Sequence, residues 1–133
     1  MHEHKMIEVL ARVENERARF AQFEGRDGVG FDMNSWYSAA GVDGNWCGTT
    51  ACLAGHALAA EGYMMEPGTD VCVRPDGRTR YDVEDEAADL LGLDESEAAY
   101  LFYVGTLSEV YQTIAAWMGL DTQVLRDKVQ AAR

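Results

Sequence analysis

The residues best suited to chemistry crowd into one segment, Trp46-Cys47-Gly48-Thr49-Thr50-Ala51-Cys52-Leu53-Ala54-Gly55-His56. Three readings compete for it. In the first, Cys47 is a nucleophile: it stands just before a predicted helix, where the dipole and unpaired amides stabilise a thiolate. A cysteine nucleophile also needs an imidazole within hydrogen-bond reach, and the histidines are His2, His4 and His56. His56 is on the same predicted helix, roughly 13 Å from Cys47 at 1.5 Å per residue. No histidine follows it.

In the second reading the segment holds a metal. Cys52 and His56 lie one helical turn apart on a shared face, which is half of a zinc site. Cys47 would supply a third ligand and Cys72 a fourth, although the spacing matches no C-x2-C or H-x3-H pattern. In the third reading the segment is structural. A free cysteine behaves as a small buried apolar residue, Thr49 or Thr50 caps the helix, and His56 is a core histidine bonded to a carbonyl. This last reading asks for nothing the sequence lacks. It assigns no catalytic residue and no cofactor, and leaves Cys47, Cys52, His56 and Cys72 as the alternative metal or thiol centre.

Other binding motifs are missing. The Gly-rich stretches around Gly25–Gly30 and Gly41–Gly44 have neither the P-loop order nor its lysine. Asp27, Asp32, Asn34, Asp43 and Asn45 do not fall in the register of an EF-hand loop. Trp36 and Trp46 flank these stretches and would serve as partner anchors if exposed.

Positioning such residues falls to a mainly helical single domain over residues 1–133, with five to six helices and one small β-hairpin near residues 70–81. Residues 3–23 place Met6, Leu10, Val13 and Phe20 near a 3.6-residue period. Residues 49–61 are rich in small side chains, with Ala51, Gly55 and Ala59 on one stripe, and predict a buried central helix. Val71-Cys72-Val73-Arg74, Pro75-Asp76-Gly77 and Arg78-Thr79-Arg80-Tyr81 predict two strands about a turn. Val83, Ala87, Leu90 and Leu91 then form a stripe closed by Gly92, and Asp94-Glu95-Ser96-Glu97 has the pattern of a capping box. Ala98, Leu101 and Phe102 offer the next apolar face. Thr106 opens a helix with Val110, Ile114 and Trp117, and Asp121 opens another with Val124, Leu125 and Val129.

Part of this pattern resembles a known family. Phe31-Asp32-Met33-Asn34-Ser35-Trp36, the run Cys47 to Ala57, and Leu90-Leu91-Gly92-Leu93 with Glu97-Ala98 and Leu101-Phe102 look like small uncharacterised proteins of bacteriophages, notably those of actinobacteria, and of some bacteria. The likeness covers roughly residues 31–102 and is carried by a CGTxACxAG core. It implies a phage or mobile-element origin and supplies no catalytic residue.

Charge sets the remaining expectations. The 133 residues carry 11 Lys+Arg against 23 Asp+Glu, a net charge of −12. Most of the excess lies in residues 81–125, which hold Asp82, Glu84, Asp85, Glu86, Asp89, Asp94, Glu95, Glu97, Glu109 and Asp121 with no Lys or Arg. Such a balance argues against direct nucleic-acid binding, which needs clustered cations. No apolar run approaches the roughly 20 residues of a membrane span. An odd number of cysteines and an N-terminus without an apolar signal region point to the cytoplasm. The expected function is that of a small acidic phage-type accessory protein. It is non-enzymatic and binds a host protein with a basic surface through Asp82, Glu84, Asp85, Glu86, Asp89, Asp94, Glu95, Trp36 and Trp46. In a sharper form, the acids of 82–97 imitate DNA phosphates. The rivals are the zinc or thiol enzyme above and a self-associating structural protein, a homo-oligomer packed through its small-residue helix.

Overall fold

Helix α1 (Glu3–Glu24) starts with an acid in its first turn, the favourable sign for the helix dipole. It buries Met6, Val9, Leu10 and Val13, an i, i+3, i+4, i+7 face. The computed structural model describes residues 1–24, 53–65, 71–77, 80–104 and 106–133. The fold is mainly α, with six helices and a three-stranded sheet among those residues.

Helix α2 (Leu53–Ala60) is apolar apart from His56, and Leu53 through Leu58 are buried without interruption. A helix of that kind is stable only when surrounded. It packs against α1 and against α3 (Val83–Leu91), as the predicted central helix should. Gly55 of the small-residue stripe is buried and Ala59 is half-buried. Ala51 and Phe20, expected on the α2 and α1 faces, lie outside the residues and side chains described.

Strands β1 (Met64–Met65), β2 (Val71–Val73) and β3 (Arg80–Asp82) pair antiparallel in the order β1-β2-β3. The β2–β3 pair is the predicted hairpin, with Cys72 opposite Tyr81. Its turn is closed by Gly77 N–H donating to the Arg74 carbonyl at 2.8 Å, at a φ of +73° that favours glycine. Strand β1 was not predicted, because two residues are too few to show alternation. Cys72 is fully buried and fills the small apolar role.

The remaining helices begin and end where the sequence signals place them. Asp82 caps α3 by accepting from the Glu84 and Asp85 amides at 3.0 and 3.3 Å. At its other end Gly92 is left-handed, and Leu93 N–H donates to the Ala88 carbonyl at 2.9 Å, the Schellman closure. Asp94 and Glu97 form the capping box of α4 (Glu95–Leu101) at 2.7 and 3.0 Å. Thr106 caps α5 (Leu107–Met118) and Asp121 caps α6 (Thr122–Ala132). Buried residues of α1 to α6 and β2 form one core. One expectation is corrected: Val124 is 42% exposed, while Leu125 and Val129 are buried. Consecutive helical residues point about 100° apart, and the i, i+4 pair Leu125 and Val129 takes the inward face.

Candidate functional site

Helices α3 and α4 meet through Gly92-Leu93-Asp94, and small side chains at their junction leave a groove. It has a volume of about 380 Å³ and is lined by Glu84, Asp85, Ala88, Asp89, Leu93, Glu95 and Ala98. Ala88, Leu93 and Ala98 are buried and provide apolar lining, while four carboxylates provide the charge. Asp85, Asp89 and Glu95 are exposed, and among the described residues no cation pairs with them. Glu84 accepts a hydrogen bond from the Tyr103 hydroxyl at 2.9 Å.

The other predicted acids are accounted for locally. Asp82 and Asp94 are exposed helix caps whose carboxylates accept from the Glu84, Asp85 and Glu97 amides of the helices they open. Glu86 departs from its predicted role. It is only 6% exposed and accepts from the Tyr63 hydroxyl at 2.6 Å and from Arg74 Nε at 2.9 Å. It ties the hairpin and the start of β1 to α3, and offers nothing to a partner. The reason lies in its phase: position 86 is three beyond Val83 and four before Leu90, so it falls on the apolar stripe. Burial pushes the Tyr63 phenol up to about 12, with the hydrogen bond and negative charge of Glu86 acting in the same direction.

Tyr100 and Tyr103, 61% and 63% exposed, are aromatic candidates that the sequence reading passed over. They sit three residues apart beside Leu101 and Phe102, which both turn inward. The signal was available, since a run of four large apolar residues cannot all face one side of a helix. The predicted anchors Trp36 and Trp46 lie outside the described residues.

So do Cys47 and Cys52 of the alternative metal or thiol centre. His56 and Cys72 are both buried, one in α2 and one in β2. Among the described residues no three His, Cys, Asp or Glu side chains are placed to hold a metal. Nor is any described helix long and apolar enough to cross a membrane. No family model, curated protein or solved structure matches the chain.

Proposed function

We propose that this chain is a small non-enzymatic accessory protein of phage type that docks a basic surface of a host protein in the cytoplasm. The observation that carries the reading is the α3–α4 groove, an apolar floor under Asp85, Asp89 and Glu95 without cationic partners among the described residues. A lysine or arginine of the partner would lay its aliphatic stem on Ala88, Leu93 and Ala98 and set its charge among the carboxylates. Exposed ion pairs contribute only about 0–1 kcal/mol each, so their role is to speed encounter and fix orientation. Tyr100 and Tyr103 would add the apolar anchoring that holds a complex together. The motif likeness to phage proteins supports a bacterial host as the setting.

The test is binding of a fluorescent Arg/Lys-rich peptide, followed by anisotropy at low and high salt. The variant Asp85→Asn/Asp89→Asn/Glu95→Gln is compared with a control, Glu109→Gln/Asp121→Asn/Asp127→Asn, that removes the same charge elsewhere. The groove variant should lose about tenfold or more in affinity, equivalent to about 1.4 kcal/mol, and the control should not. Equal losses in both would reduce the groove to a share of the net charge and overturn the proposal.

A further inference from the structure

We infer that a second hollow, between α1, α5 and α6, binds a small oxyanion group, a carboxylate or a phosphate. Its volume is about 120 Å³, and its lining is Glu14, Tyr111, Arg126, Val129, Gln130 and Arg133. Arg126 and Gln130 lie four residues apart on α6 and Arg133 is its C-cap residue, three positions further on, so the end of this helix presents two guanidinium groups and an amide to the hollow. The residues are distinct from those of the acidic groove, and the inference does not depend on that reading.

The arginines are held in place with donors to spare. The guanidinium carbon of Arg126 lies 4.2 Å from the centre of the Tyr111 ring. Among the described residues no carboxylate or carbonyl accepts a hydrogen bond from it. A cation–π contact fixes the group and leaves most of its five N–H donors unspent. The ring is fixed in turn, because Tyr111 is buried and its hydroxyl donates to Glu14 Oε1 at 3.0 Å. Arg133 donates from Nε to Asn15 at 2.9 Å and from Nη1 to Gln130 at 3.0 Å. Among the described residues nothing accepts from its Nη2.

Charge and size then name the ligand class. Among the lining side chains two guanidinium groups stand against one carboxylate, Glu14, in a chain of net −12. The planar fork of arginine matches a carboxylate or phosphate in bidentate fashion. The volume equals the liquid share of roughly four waters at about 30 Å³ each. That suits one oxyanion group and falls well short of the roughly 300 Å³ at which pockets for whole drug-sized ligands begin.

The experiment is a titration of the full chain with inorganic phosphate and, separately, with acetate, at ionic strength matched by chloride. The readout is the Nε–Hε resonance of Arg126. A saturable shift with Kd on the order of 1–10 mM in either arm supports the site, and the arm that saturates identifies the source as phosphoryl or carboxylate. Arg126→Gln, read at the Nε–Hε resonance of Arg133, should weaken binding about tenfold with the unfolding midpoint recorded alongside. Arg133→Gln serves the same purpose, read at Arg126, if the first variant loses its fold. A shift reproduced by chloride alone, or one that never saturates in either arm, overturns the inference.

Discussion

Replacing Glu86 by alanine should destabilise the protein by about 2–4 kcal/mol. The magnitude follows from what each partner loses. The Tyr63 residue is 8% exposed, so its hydroxyl would be stranded from water, at a cost of about 1–3 kcal/mol. The Arg74 side chain is 41% exposed and can rehydrate, so its share is held to about 1 kcal/mol or less. The side-chain volume removed from between α3 and the sheet adds a smaller packing loss. Urea unfolding followed by circular dichroism measures the sum. Glu86→Gln keeps an oxygen for Tyr63 and should cost about 1–2 kcal/mol, with Tyr63→Phe near 1 kcal/mol. The double-mutant cycle between Glu86→Ala and Tyr63→Phe should return a coupling of about 1–2 kcal/mol. A loss below about 0.5 kcal/mol for Glu86→Ala, or no coupling, would refute the claim that this carboxylate clamps the hairpin to α3.

Three further outcomes follow from the geometry. Stability should fall as pH rises between the ordinary tyrosine value near 10 and the Tyr63 value of about 12, because there the unfolded chain has lost a proton that the fold retains; Tyr63→Phe should flatten that window in pH-dependent unfolding. Gly92→Ala should cost about 1 kcal/mol more than Gly119→Ala, since both sites have positive φ but a Cβ at 92 would meet the His2 ring at 2.8 Å and one at 119 meets nothing within 4 Å. Asp89→Asn should raise stability by about 0.3–1 kcal/mol while weakening the basic peptide, both read on one purified variant.

The helix ends were legible because each is a local event. Asp82, Asp94, Thr106 and Asp121 accept amide hydrogen bonds from residues two or three positions ahead, and Gly92 and Gly119 close helices through carbonyls within one turn. No knowledge of the rest of the chain was needed. The hairpin was legible for the same reason, its turn chemistry lying between the strands it joins. What spans sequence was not. Tyr63 and Arg74 reach Glu86 from 23 and 12 residues away, and only the packing of the sheet on α3 brings them together. The acid on an apolar stripe was the one trace of it in the sequence. The hollow beneath Arg126 was equally hidden, because Glu14 and Tyr111 are 97 residues apart.

Folding also divides the acids that composition lumps together. Of the eight between 82 and 97, Asp82, Asp94 and Glu97 serve caps, Glu86 is internal and Glu84 receives Tyr103. These charges are explained by local stability, and acids in a first helical turn gain about 0.3–1 kcal/mol from the dipole besides. Asp85, Asp89 and Glu95 separate from that group by degrees. Asp85 and Glu95 still lie in first turns, but Asp89 lies in the last turn of α3, where the dipole opposes a negative charge. It also stands four residues from Asp85, a like-charge spacing that disfavours the helix by about 0.2–0.5 kcal/mol. A carboxylate kept there against the local electrostatics has no structural employment among the described residues. A cation seated in the groove would reverse the sign of both penalties, which is why a substitution at Asp89 should move stability and binding in opposite directions. A charge present only to keep the surface solvated would move stability and leave the peptide unaffected.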